Sequence, residues 1–96
     1  DNTIAAAAQQ VGQIAKDGNL PFVCGEENMC MGMGICTISI DYEELGHMAG
    51  EMALKILTDG ADPATMAIET ESKDQLKVVK NEDMAKALGI DLSVLD

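Results

Sequence analysis

The sequence contains no arginine and only six lysines, against seventeen aspartate and glutamate residues, so its formal net charge is −11. Proteins that bind nucleic acid neutralise phosphates with clustered lysine and arginine, and nucleic acid is therefore not an expected partner. The same charge disfavours an anionic membrane surface. No apolar run approaches the roughly 20 residues that a membrane-spanning helix requires.

The sequence patterns of enzymes and metal sites are also missing. There is no nucleophile–base pair and no phosphate-binding loop, so we expect no catalytic activity, and no cofactor or metal is implied. Cys24, Cys30 and Cys36 form no C-x-x-C pair, and their odd number does not favour a disulfide framework. We expect most of these cysteines to be small buried hydrophobic residues.

A signal peptide is not present, and the chain opens on Asp1 without an initiator methionine. We therefore expect a processed chain or a fragment. With 96 residues, the chain is expected to form one small domain or part of a larger one.

The clearest pattern is a strand that leads directly into a long helix. Ile35–Ile40 is predicted to be a strand, and Asp41–Gly60 contains apolar residues at spacings of three and four, which is typical of an amphipathic helix. Asp41 is predicted to cap the start of this helix, with Glu44 completing a capping box. Gly60 is predicted to end it in the left-handed conformation.

The remaining elements alternate between helix and strand, and the tail after residue 90 is expected to be peripheral. Because helices alternate with strands, the pattern predicts the α/β class with a mostly parallel sheet in a three-layer αβα arrangement. The predicted elements are a helix over Thr3–Lys16, strands over Leu20–Cys24 and Leu76–Val79, an extended segment over Met66–Ser72, and a helix over Glu82–Leu88 capped by Asn81 and closed by Gly89.

The order of these motifs resembles the later part of the ABC-transporter substrate-binding proteins with the type I periplasmic-binding fold, a group that includes tryptophan/tyrosine-type binding lipoproteins. The match spans nearly the whole chain, and it depends on the order and spacing of several short motifs rather than on any one of them. These motifs are Asp1–Ala5, Leu20–Val23, Gly25–Met29, Ile40–Gly46, Ala53–Leu57, Leu76–Val79 and Ala87–Ile90.

The resemblance implies a protein with two α/β lobes joined by chain crossings, of which this chain is a part. Residues 1–40 would belong to the second lobe, and residues 41–70 would contribute a helix and a linker to the first. Residues 71–96 would hold the return crossing, the last strand and the final helix. The hinge would comprise Ile40, Asp41, Tyr42, Gln75 and Leu76.

Two groups of polar residues are candidate ligand contacts, because ligands of open α/β sheets bind beyond the carboxyl ends of strands. One group opens the first helix and the other follows the strand that ends at Cys24. Helix N-terminal amides attract carboxylates, and a nearby acid can hold an ammonium group. The alternatives are plain helix capping for the first group and a solvated loop for the second. The candidates are Asp1, Asn2, Thr3, Glu26, Glu27 and Asn28.

The resemblance implies a non-catalytic, extracytoplasmic solute-binding component of an ABC importer, in the periplasm or anchored as a lipoprotein. It would bind a small organic ligand by hinge closure and deliver it to a membrane permease. An amino acid is the ligand class that the resemblance favours. Because the apolar stripe of the long helix would lack its partners, we expect the isolated chain to self-associate.

Two alternatives remain open at this point. The same fold serves as the effector-sensing domain of transcription regulators. The methionines and cysteines between Met29 and Cys36 also resemble a soft-metal site for Cu(I), although methionine is a common filler of irregular cores. His47 stands without ligand partners nearby in the sequence, which favours a surface or interface role.

Overall fold

The computed structural model describes all 96 residues and contains five α-helices and two β-strands. Two short 3₁₀ turns, Lys73–Gln75 and Ser93–Leu95, complete the regular structure. No helix is both long enough and apolar enough to cross a membrane. In chain order the elements are α1 (Asn2–Ala6), α2 (Ala8–Asp17), α3 (Glu27–Met33), β1 (Cys36–Ser39), α4 (Tyr42–Asp59), β2 (Lys77–Lys80) and α5 (Glu82–Ala87).

The chain divides into two compact units, which are described separately below. Unit 1 consists of Asp1–Ser39 together with Lys77–Asp96, and unit 2 consists of Ile40–Leu76. The chain therefore passes between the units twice, after Ser39 and after Leu76.

In unit 1, the helix predicted over Thr3–Lys16 is present but interrupted. Ala7 has φ −105° and ψ 11°, and its N–H donates to the Ile4 carbonyl at 3.0 Å, which tightens the end of α1 before α2 begins. Alanine is the best helix former, so helix propensity gives no reason for this interruption. At the far end, Asn19 adopts a left-handed conformation with φ 53°, and its N–H closes on the Lys16 carbonyl.

The sheet of unit 1 differs from the predicted one. β1 and β2 pair antiparallel, with Ser39 opposite Lys77, so the mostly parallel sheet expected from the sequence is not what these two strands form. The chain leaves β1 and re-enters β2 at this paired end, and a chain that returns to the same end of a strand must run antiparallel. The parallel relation is limited to a bridge between Val23 and Cys36, which is all that forms of the predicted strand Leu20–Cys24.

Helices α2 and α3 pack closely because small residues line their contact. A Cβ placed on Gly12 would lie 2.7 Å from the carbonyl oxygen of Gly32, and one placed on Gly32 would lie 3.0 Å from the Cβ of Ala8. These distances leave no room for a larger side chain. The small residues of the first segment thus allow close packing against a neighbouring helix.

The core of unit 1 consists of two clusters. The first contains Ala8, Cys24, Cys30 and Met33, with Val11, Met29 and Val79 packed against them. The second contains Ile35, Ala85 and Leu92, with Cys36, Met84, Leu88, Ile90 and Leu95 around them. Leu92 is only 5% exposed, so the expectation that the tail after residue 90 is peripheral was wrong. Leu92 packs in the same cluster as Ala85 of α5, with the apolar neighbours Ile90 and Leu95 beside it.

Asn81 joins elements of unit 1 that are distant in sequence. It is buried, and its Oδ1 accepts from the Met84 N–H at 3.2 Å, as predicted for the cap of α5. Its Nδ2 donates to two carbonyls in the second half of α3, that of Cys30 at 3.1 Å, which also accepts from the Gly34 N–H, and that of Met31 at 3.4 Å. Its backbone N–H donates to the Ile35 carbonyl at 2.8 Å. One side chain therefore begins α5 and satisfies a carbonyl of α3.

In unit 2, the long helix forms as predicted, with Asp41 as its cap and Gly60 in the left-handed conformation at φ 67°. The Asp41 carboxylate accepts from the N–H groups of Glu43 and Glu44, at 3.0 and 3.3 Å. The Asp41 N–H donates to Glu71, at 3.1 Å, whereas the predicted capping box assigned this role to Glu44. A residue thirty positions away thus completes the cap.

The segment Met66–Ser72, which was predicted to be extended, forms no strand. Polar contacts connect the linker after α4 to that helix. Gln75 accepts from the Ser72 N–H at 2.8 Å and donates to Glu44 at 2.9 Å. Lys55 and Glu69 form an ion pair at 3.8 Å. No residue of unit 2 is buried.

Candidate ligand-binding site

The first candidate group opens α1. Asp1 caps this helix, since one oxygen of its carboxylate accepts from the Ile4 N–H at 2.9 Å. Asn2 and Thr3 occupy the first turn, and all three residues are exposed. The capping function considered for Asp1 is therefore present, and the exposed side chains remain accessible to a ligand.

The second candidate group opens α3. Glu26 caps this helix with both carboxylate oxygens, which accept from the Asn28 N–H at 3.0 Å and the Met29 N–H at 2.6 Å. Glu26 is half-buried, whereas Glu27 and Asn28 are exposed. The solvated loop that was considered for this stretch is thus a helix start. The sequence gives little signal for it, because glutamate is not among the preferred N-cap residues.

Both groups belong to unit 1, and both present carboxylates rather than free amides. Three of the first-turn amides already donate to these carboxylates, that of Ile4 to Asp1 and those of Asn28 and Met29 to Glu26. What these helix starts offer an incoming molecule is negative charge and, from Asn28, an exposed carboxamide. This chemistry suits an ammonium group.

The predicted hinge residues lie at the ends of unit 2. Ile40 and Leu76 are the first and last residues of this unit. Tyr42 is the first residue of α4 and is 63% exposed, and Gln75 ends the 3₁₀ turn that precedes Leu76. Glu71, which sequence reasoning did not single out, links this return segment to the Asp41 backbone. Local sequence patterns do not predict a contact between residues that are thirty positions apart.

An open depression of about 450 Å³ lies at the start of α4, lined by Asp41, Glu43, Glu44 and His47. His47 is exposed and faces Glu51 at 3.5 Å along the same helix. The surface position expected for His47 is confirmed. No group of three or more histidine, cysteine or acidic side chains in the chain is arranged to hold a metal ion.

The cysteines have the packing role that was predicted for most of them. Cys24 and Cys30 are buried, and Cys36 is half-buried. Burial raises the pKa of the Cys30 thiol to about 11, with nearby cysteines and acids adding to the effect, and burial likewise raises the pKa of Cys24. The Met33 side chain is buried beside them, whereas Met31 is 55% exposed. The residues of the Cu(I) alternative are thus divided between core and surface.

Comparison with known proteins identifies the family of the chain. A family model described as ABC transporter substrate binding protein matches residues 1–94. A tyrosine-binding protein of Clostridioides difficile (strain R20291) is 32% identical over 88 residues, which cover 92% of this chain and 25% of that protein. The chain therefore spans about a quarter of the length of this curated relative.

A solved structure is also similar: the ligand-free, open structure of a substrate binding protein with adhesive properties from Clostridium difficile. The TM-score is 0.74 at 34% sequence identity, and the alignment covers 95% of this chain and 30% of that one. This structural similarity agrees with the family match over residues 1–94 and with the resemblance in the order of motifs. The chain belongs to the ABC transporter substrate-binding protein family.

Proposed function

We propose that the protein containing this chain binds an amino acid, with tyrosine as the first candidate, between two lobes that close about a hinge. The observation that carries the proposal is the family match over residues 1–94, together with a relative that is named for tyrosine binding. The family is one of binding proteins rather than an enzyme class, and the absence of a nucleophile–base pair agrees with it.

The division of the chain supports the hinge assignment. Unit 2 begins at Ile40 and ends at Leu76, and both residues belong to the hinge proposed from the resemblance. A hinge needs few residues that absorb the change in backbone angles, and two single passages of the chain are suited to that role. Residues 1–40 would then belong to one lobe and 41–70 to the other.

The exposed carboxylates support the ligand class. An amino acid carries an ammonium group, and the proposed contacts Asp1, Glu26 and Glu27 present negative charge at two helix starts of unit 1. Asn2, Thr3 and Asn28 would add neutral hydrogen-bonding groups. The partner would be the membrane permease of an ABC importer, and the protein would act outside the cytoplasm, anchored as a lipoprotein or free in a periplasm.

The charge of Asp1 can be separated from its capping role. Asparagine caps a helix as well as aspartate does, so Asp1→Asn removes the charge while preserving the hydrogen bond to Ile4. In the intact protein we expect this variant to raise the Kd for L-tyrosine about tenfold or more, since hydrogen bonds to charged groups contribute about 1.5–3 kcal/mol. Isothermal titration calorimetry measures the change.

The matched control is Glu51→Gln, which removes one negative charge from the exposed surface of α4. We expect it to leave the Kd unchanged. Equal affinity in wild type, Asp1→Asn and Glu51→Gln would remove Asp1 from the site. Failure of the wild type to bind any amino acid in the titration would overturn the ligand class itself.

A further inference from the structure

The three cysteines of the chain are free thiols, and all three lie in unit 1. Cys24 and Cys30 are 9% and 0% exposed and belong to the same core cluster. Cys36 is half-buried and packs against the other cluster. Three thiols allow three pairings, and the structure distinguishes among them.

The bridge disfavours a pairing between Cys24 and Cys36, although the Cys24 N–H donates to the Cys36 carbonyl. Val23 and Cys36 are partners in the parallel bridge, so their side chains lie on the same face. Side chains alternate along an extended strand, so the Cys24 side chain lies on the opposite face from that of Cys36. The exposure pattern agrees, because Val23 is 71% exposed while Cys24 is buried. Cys24 therefore faces the cluster that contains Cys30.

The surroundings of Gly34 indicate how close Cys24 and Cys30 lie to each other. A Cβ placed on Gly34 would lie 2.4 Å from the Cys24 sulfur and 3.3 Å from the Cys30 Cα. The Cys24 sulfur is therefore no farther from the Cys30 Cα than the sum of those distances, about 6 Å. The two residues are therefore neighbours in the core, as their shared cluster also indicates. Because Gly34 has no Cβ, the Cys24 sulfur lies directly against its backbone.

We propose that Cys24 and Cys30 form a disulfide by exchange with a small-molecule aliphatic disulfide. The Cys24 thiolate attacks one sulfur of the reagent, forms a mixed disulfide and expels one small thiolate. The Cys30 thiolate then attacks the Cys24 sulfur and expels the second. The two protein thiols lose two electrons and their two protons, and the reagent is released as two small thiols.

The order of the two steps follows from exposure. Cys24 retains a small accessible area, whereas Cys30 has none, so Cys24 meets the external reagent first. Burial raises the pKa of both thiols, which leaves little thiolate at neutral pH. The exchange should therefore be slow near pH 7 and accelerate as the pH rises.

The bond would have a local effect on the start of α3. It would close a loop of seven residues, Cys24–Cys30, that contains the Glu26 cap and the exposed Glu27 and Asn28. Closing a loop restricts the unfolded chain, so the oxidised form should be the more stable one. Disulfides persist outside the cytoplasm, which is the compartment proposed for this protein.

The test exposes the intact protein to oxidised glutathione at pH 8.5, blocks the remaining thiols and digests the protein after glutamate. Cleavage at Glu26 or Glu27 separates Cys24 from Cys30, so a disulfide between them holds two peptides together until reductant is added. We expect this cross-linked pair in the wild type. We also expect the oxidised protein to unfold at a temperature higher by about 4–8 °C.

Single variants provide the control. Cys36→Ala should still lose 2 Da per molecule, the mass of two hydrogens, because it removes the thiol that the proposal leaves unpaired. Cys24→Ala and Cys30→Ala should not form the cross-link. Recovery of Cys24 and Cys30 as blocked thiols, or a cross-link that includes Cys36, would overturn the proposal. In the wild type, Cys30 and Cys36 share one peptide, and fragmentation of that cross-linked peptide in the mass spectrometer shows which of the two carries the blocking group. This assignment decides the matter even if a variant fails to fold.

Discussion

Every buried residue of the chain lies in unit 1, and none lies in unit 2. Unit 2 nevertheless contains the longest regular element, the eighteen-residue helix α4. Its termini are stabilised by local and polar contacts: Asp41 and Glu71 at the start and the left-handed Gly60 at the end. The comparison shows that a helix can be well defined by its caps while the burial that secures a fold is located elsewhere in the chain.

The packing of unit 1 has a different character. Several of its buried residues are alanine or cysteine, and Gly12 and Gly32 bring two helices into close contact. Small residues bury little apolar area each, so large buried side chains such as Leu92 and Met33 carry a large share of the hydrophobic stabilisation. Unit 1 should therefore be sensitive to single changes that unit 2 tolerates.

The largest expected effect comes from truncating a leucine in each unit. Leu92→Ala removes a buried side chain in unit 1 and should lower the free energy of unfolding by about 2–5 kcal/mol. Leu57→Ala, at a position that is 83% exposed in unit 2, should change it by less than about 0.5 kcal/mol. Urea unfolding of the intact protein measures both, and equal losses would contradict the contrast between the units.

The sequence predicted the elements that depend on local signals. Asp41 and Gly60 mark the ends of α4, and Asn81 marks the start of α5, because caps act over three or four residues. The two strands were also located within a residue or two. The antiparallel pairing was missed because it depends on where the chain returns after 37 residues of unit 2, and alternation of elements carries no such information.

In the candidate site too, a feature that depends on neighbouring residues was predicted, whereas a contact between distant residues was not. Asp1 was predicted to begin a helix from its neighbours in the sequence, and it does. Glu26 was predicted to follow a strand in a polar loop, and it instead caps the start of α3. Glu71 was missed because its contact with Asp41 spans thirty residues. The burial of Leu92 was missed because a short segment at the end of a chain shows no periodic pattern that indicates which of its apolar residues pack against α5.

A second prediction makes the same substitution in a helix of each unit. Gly12→Ala places a Cβ 2.7 Å from a backbone oxygen in unit 1, where neither helix has room to move, and should destabilise the chain by about 1–2 kcal/mol. Gly46→Ala on α4 meets no atom within 4 Å and should stabilise the chain by about 0.5–1 kcal/mol, because alanine favours helix. Thermal unfolding followed by circular dichroism should show midpoints shifted in opposite directions.

The smallest predicted effect is a pH dependence of stability that arises from the buried thiols, all of which lie in unit 1. The pKa of Cys30 is raised from 9.0 to about 11, chiefly because burial disfavours the thiolate. Between these two values the unfolded chain has lost this proton and the folded chain has kept it, so stability is fully present below pH 9 and declines as the pH rises toward 11. From pH 8 to pH 10, Cys30 should raise the unfolding equilibrium constant about tenfold.

The variant Cys30→Ala isolates this contribution. Under reducing conditions, its unfolding constant should rise about tenfold less between pH 8 and pH 10 than that of the wild type, because the other ionisable groups are common to both proteins. Cys36→Ala, which retains the buried thiol, should follow the wild-type dependence. A parallel loss of stability in Cys30→Ala and wild type over this range would mean that water reaches the Cys30 thiolate in the folded protein. Cys30 would then not belong to the buried core cluster of unit 1.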